Sequence, residues 1–212
     1  MSSATGLQPA VGSVPVLRVI AHELRQPLST IEAIAYYLSL VLPREEDGKI
    51  HEQLDRLQQL VEQSNWILSN SLLLTEPMAC SPEPVDLSEL ITQTLIARPF
   101  SINPPLGVNF DDGLPFIHAD PALARALVEN VFTLFRQHSS AAHPVSWRMR
   151  AHGGGVLLEM STTTPDILSE AALGPGAALA LESARRIVAA HGGSLQFEVN
   201  PVSGIWMRVG LL

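Results

Sequence analysis

The stretch VIAHELRQPLSTIEAIAYYL, residues 19–38, decides how the chain begins to fold. Around it Leu17, Leu24, Ile31 and Leu38 recur every seven residues, and so do Ile20, Pro27, Ile34 and Val41. The two series interleave as the a and d positions of a heptad pattern about three and a half repeats long, the signature of a helix that packs in a bundle. LPREEDGK, residues 42–49, supplies the proline and glycine that end it. A second series, Leu54, Leu57, Val61, Ser64, Leu68 and Ser71, alternates steps of three and four and is flanked by Leu60, Ile67 and Leu74. Two such helices and a short loop predict an antiparallel hairpin. A lone hairpin has little to bury its stripes against, so two hairpins are expected to pair as a dimeric four-helix bundle, making the protein a homodimer.

His22 falls at f in this register, the position farthest from the seam, and therefore points into water with Glu23 and Gln26 close by. An imidazole in water has a pKa of about 6.5, so its neutral, nucleophilic form dominates at neutral pH. Glu23 is placed to accept or orient the ring proton, and Gln26, one turn on, to hold a water for hydrolysis. Pro27 lacks an N–H and crowds the carbonyl of Glu23, which predicts a kink just past the histidine. An H-E-x-x-H zinc motif is excluded, because Gln26 stands where the second histidine would be.

The 212-residue chain is large enough for one big domain or two small ones, and its 46% apolar content suffices for a packed core. Thirteen basic against 21 acidic residues leave a net charge of −8 with no Lys/Arg run, which argues against nucleic acid and acidic membranes as partners. Cys80 is the only cysteine, so there is neither an internal disulfide nor a cysteine metal cluster. No secretory signal or membrane-spanning run is evident, and a cytoplasmic location is expected.

Residues 1–15 read as a flexible N-terminus, 16–75 as the hairpin, 76–86 as a proline-containing linker, and 87–212 as a second domain. Asp86 and Glu89 look like a capping box for a helix running to about Ala97. Strands are expected at 108–110, 145–151, 156–161, 195–199 and 205–211, and helices at 121–138 and 177–191, the latter stopped by Gly192-Gly193. The last two strands form a hairpin across NPVSG. Helices segregated from a mostly antiparallel sheet give an α+β fold class. His138 and His143 have no cysteine or carboxylate partner nearby in sequence, so no metal site is expected there.

HELRQPLSTIEAI resembles the phosphoacceptor box of two-component sensor histidine kinases, roughly H-E-[LI]-[RKN]-x-P-L, with matches at His22, Glu23, Leu24, Arg25, Pro27 and Leu28. VDLSELITQTL, HADPALARALVEN and ARRIVAAHGGSLQFEV are similar to that family's entry helix, nucleotide-box helix and final helix-strand unit. The resemblance covers nearly all of the chain after residue 16. It implies a dimerisation and phosphotransfer hairpin followed by a kinase-ATPase-like α/β sandwich.

The nucleotide side departs from the family pattern. The first nucleotide-box asparagine falls on Asn130, but the second, the Mg²⁺ ligand, falls on Leu134, which has no oxygen to offer. TTTPDI, residues 162–167, replaces the adenine-binding D-x-G-x-G, and Ala178-Leu179-Ala180 replaces the phosphate-side G-x-G. Ten residues between Ile167 and Ala178 are too few for the family's ATP lid. GPGAAL, Gly174 to Leu179, lacks G-K-[ST] and reads as loop punctuation before a helix. The sequence is thus closest in kind to the dimeric histidine phosphotransferases. In that reading His22 exchanges phosphoryl groups with receiver-domain aspartates of a response regulator or hybrid kinase. This chain then needs no cofactor, binds no ATP, and relies on Mg²⁺ brought by the receiver. The alternatives are an ATP-dependent kinase and a non-catalytic dimeric scaffold.

Overall fold

The computed structural model describes residues 13–42, 48–96, 107–140, 142–163, 169–200 and 203–212. The chain divides into two compact units, one ending at Pro77 and the other beginning at Met78. The expected flexible N-terminus lies outside the described residues up to residue 12, and helix is already present from Ser13.

The first unit is a helical hairpin of α1 (Ser13–Val41) and α2 (Gly48–Thr75). Arg18 forms a two-pronged ion pair with Glu76, and the Arg25 guanidinium donates to Ser69 Oγ at 3.1 Å. Seven residues forward on one side match seven back on the other, which makes the pair antiparallel. The contact face is not the a/d stripe. Ala21 and Ala35 are the buried positions of α1, one step round from d, and meet a face of α2 carrying Leu54, Gln58, Val61, Trp66 and Asn70. Alanine lets the helix axes approach closely. Ile20, Leu24, Ile31, Ile34 and Val41 stay between 38% and 55% exposed. A hairpin has two apolar faces to satisfy and can bury only one internally. The helix runs unbroken through Pro27.

The second unit is α+β. It runs β1 (Glu83–Val85), α3 (Leu87–Ile96), β2 (Gly107–Phe110), β3 (Ile117–Ala119), α4 (Pro121–Gln137), β4 (Val145–His152), β5 (Gly155–Thr162), a 3-10 turn (Glu170–Leu173), α5 (Gly174–Ala190), β6 (Ser194–Asn200) and β7 (Gly204–Leu211). β1 and β3 pair as a short antiparallel ribbon, so the last part of the expected linker is a strand. The main sheet has the order β2-β4-β5-β7-β6, parallel between β2 and β4 and antiparallel elsewhere. One face supplies the core, with Trp147, Met149, Leu158, Met160, Ile205, Met207 and Val209 buried together with Leu127, Val131, Phe135, Leu181 and Ile187 of α4 and α5.

Caps explain the helix boundaries. Asp120 Oδ1 accepts from the backbone N–H of Ala122 and Leu123 at 3.0 and 3.1 Å, with Pro121 in the first turn. These bonds, that to Leu123 foremost and one from Ser81, hold the Asp120 carboxyl below its ordinary range. Asp86 caps α3 in the same way through Ser88 and Glu89, but Glu89 bonds Gln93 rather than closing the box. The expected end of α3 at Ala97 lies outside the described residues. α5 ends in a glycine turn in which Gly193 N–H returns to Val188 O and Gly192 N–H to Ala189 O, both at 3.0 Å. It starts at Gly174, three residues before the expected Ala177. GPGAAL is therefore the opening of the helix and not a loop, since proline is tolerated in a first turn.

Candidate functional site

His22 projects from the exposed side of α1, as its register position predicts. The Gln26 side-chain nitrogen lies 3.3 Å from His22 Nε2, one turn on. An amide N–H only donates, so in this arrangement Nε2 carries the free lone pair and Nδ1 the proton. Gln26 therefore touches the ring itself, where the sequence had suggested a water-holding role. Glu23 is exposed and makes no hydrogen bond among the described residues, so it does not orient the ring in this conformation. Pro27 deprives the Glu23 carbonyl of its intrahelical donor, and Thr30 Oγ1 adds a 3.1 Å bond to Gln26 O just beyond. An imidazole on an exposed helix face, whose acceptor nitrogen is covered only by a solvent-exposed amide, becomes a nucleophile once that amide turns aside.

The positions that correspond to a nucleotide site lie on α4, the end of β5 and α5. Asn130 is 2% exposed and its Nδ2 has no hydrogen-bond partner. Leu134, one turn on, is 1% exposed and packed in the core. Thr162 is buried and its hydroxyl is taken up by the His143 carbonyl at 3.1 Å. Ala180 is a buried residue of α5, and residues 164–168 lie outside the described ones. His138 ends α4, where burial lowers its pKa. His143 Nδ1 lies 3.2 Å from Thr163 Oγ1. No group of three or more potential metal ligands occurs among the described residues.

One junction escaped the sequence reading. His191 Nδ1–H donates to Ile187 O at 2.7 Å, leaving Nε2 to accept from Asp120 N–H at 2.9 Å, with Cys80 Sγ 3.5 Å away. It ties the segment before β1 to the start of α4 and the end of α5. Residues 80, 120 and 191 share no spacing that would betray it.

No family model matches the chain. Sensor histidine kinase ZraS of Escherichia coli K12 is 26% identical over 209 residues, which cover 91% of this chain and 44% of ZraS. The chain thus spans less than half the length of that relative. Among solved structures, full-length ShkA in complex with AMPPNP matches 93% of this chain and 45% of its own, with a TM-score of 0.66 at 22% identity. The Acinetobacter baumannii histidine kinase AdeS matches 90% and 96%, with a TM-score of 0.55 at 20% identity. No described helix is long and apolar enough to cross a membrane. The chain thus resembles, in sequence and in fold, the core of two-component sensor histidine kinases.

Proposed function

We propose that the chain is a homodimeric histidine phosphotransferase that exchanges phosphoryl groups between His22 and receiver-domain aspartates. The observation that carries this reading is a contrast. The histidine face of α1 is exposed to solvent, whereas Leu134 fills the core where a nucleotide site needs a Mg²⁺ ligand. The residues do not fit Mg-ATP: Leu134 offers no donor, the Thr162 hydroxyl is already engaged, and Ala180 bears a methyl where close backbone approach is needed.

In the transfer step, the His22 Nε2 lone pair attacks the phosphorus of an aspartyl phosphate. The N–P bond forms as the P–O bond to the carboxylate breaks, and the carboxylate leaves with the electron pair. Both linkages are high in energy, so the step runs either way, and Mg²⁺ comes with the receiver. Gln26 swings away from Nε2 to admit the phosphoryl group. The homodimer rests on the exposed a/d series, which a second hairpin would cover as a four-helix bundle.

The test incubates the chain with phosphorylated receivers from its own organism. Transfer of label to His22, reversible and Mg²⁺-dependent, is expected. The second reading, an ATP-dependent kinase, is favoured by the kinship with ZraS across most of the chain. Calorimetry with Mg-ATP separates the two. No heat is expected up to about millimolar, a limit near 4 kcal/mol, and label taken directly from ATP would favour the kinase.

A further inference from the structure

The sheet of the second unit has two unlike faces. The strand register turns Ser146, Arg148 and Arg150 of β4, Leu157, Glu159 and Ser161 of β5, and Trp206, Arg208 and Gly210 of β7 away from the core. Arg148, Glu159 and Arg208 stand in one row across these three strands, with Asn109 of β2 and Gln196 of β6 at its ends. Glu159 Oε1 accepts from Arg208 Nη2 at 2.7 Å and Nε at 3.0 Å, and Oε2 lies 3.5 Å from Arg150 Nε. The Arg208 guanidinium sits 4.8 Å over the Trp206 ring. Arg148 is directly opposite Glu159, yet it is exposed and has no hydrogen bond or ion pair among the described residues. Two guanidiniums therefore pair with one carboxylate and a third stands across from it in the strand register, in a chain whose net charge is −8. Glu198, across from Trp206 on the edge strand, is a second carboxylate on this face.

We propose that this face docks an acidic segment of a partner protein, with Arg148, Arg150 and Arg208 as the carboxylate readers and Trp206 as the apolar contact. Charge complementarity selects the occupant. The cations are all arginine, whose planar fork pairs with carboxylates in two-pronged fashion. Glu159 and the Trp206 ring hold Arg150 and Arg208 in place before any partner arrives, which lowers the ordering cost of binding. Arginine and tryptophan are also the side chains that concentrate binding energy at protein interfaces. A polyphosphate fits poorly, because Glu159 at the centre and Glu198 at the edge would lie against its charges. A peptide can place its carboxylates to either side of them. This inference stands apart from the phosphotransfer reading.

The probe is an acetylated, amidated hexaglutamate, titrated into the full chain at about 50 mM salt while backbone amide resonances are followed. Shifts confined to the outward-facing strands β4, β5 and β7 are expected, weakening as salt is raised to about 0.3 M. Arg148→Glu breaks no internal bond, so it should keep the remaining spectrum while weakening the response roughly threefold. Arg148→Glu with Arg208→Glu should weaken it roughly tenfold or more. An undisturbed face at millimolar peptide, or an unchanged response in Arg148→Glu, overturns the proposal. So does an oligothymidylate of equal charge that binds the face as tightly, since that marks a phosphate site. Movement of the same amides on dilution alone overturns it too, because a second copy would then be the occupant.

Discussion

The polar side chains of α1 and those of α4 and α5 sit in opposite environments. On α1, His22, Glu23 and Gln26 lie in water on a helix whose apolar residues face elsewhere, and chemistry there costs the fold nothing. On α4 and α5, Asn130, Thr133 and Ser183 are at least 95% buried and each leaves a polar atom without a partner. Buried unpaired donors destabilise a fold by about 1–3 kcal/mol each. Under the proposed phosphotransfer reading, a helix face keeps its reactive residues while the other unit does not keep a nucleotide site.

The largest expected effect tests the exposed side of the comparison. His22→Ala should abolish label transfer from a phosphorylated receiver while sedimentation still reports the dimer, since f contributes nothing to the seam. Label that persists in this variant would move the phosphoacceptor elsewhere. Next in size, Leu24→Glu or Ile31→Glu places a charge in the exposed a/d series and should shift the sedimentation profile to monomer, a loss of several kcal/mol of association. A wild type that is already monomeric at micromolar concentration would remove the basis for the bundle.

The buried side is tested by restoring the missing ligand. Leu134→Asn should lower unfolding stability by about 2–4 kcal/mol and still give no heat with Mg-ATP, because the position is core rather than site. Measurable ATP binding in this variant would show that a single side chain separates the two units' fates. A smaller effect is expected at the α4 cap. Asp120→Ala should cost about 1 kcal/mol in denaturant unfolding. Because the folded pKa of Asp120 is depressed, its contribution is complete above the ordinary carboxyl pKa and fades as pH falls through the lower folded value. The wild type should therefore approach the variant's stability in acid. The smallest effect concerns Gln26→Ala, which should leave transfer within about threefold of wild type and slow hydrolysis of phosphorylated His22. Faster hydrolysis would assign the amide a protective role instead.

Much of this was readable from the residues. The exposure of His22 follows from its heptad position, and α4 from the Asp120-Pro121 start. The β6–β7 hairpin follows from its turn residues, with Asn200 opposite Gly204. The hairpin's internal face was hidden because Ala21 and Ala35 are small and an apolar periodicity dominated by leucine and isoleucine passes over them. β1 and β3 were hidden because each is three residues long and exists only through pairing with the other. The Gly-Pro-Gly opening of α5 resembles a turn until the helix behind it is packed. The unpaired state of Asn130 is a property of three-dimensional neighbours, and no sequence pattern encodes it.

The contact between Gln26 and His22 sets a toll on reactivity. A solvent-exposed hydrogen bond one turn apart on a helix is worth about 0.5 kcal/mol, which leaves Nε2 uncovered roughly a third of the time. Exposed side chains change rotamer in picoseconds to nanoseconds, far faster than two proteins meet and part. Every encounter therefore samples the open ring many times. The amide therefore lowers the rate of attack by the free ring by about threefold and never acts as a slow gate, while phosphorylated His22, whose Nε2 has no lone pair left to offer, gives up its phosphoryl group without that factor.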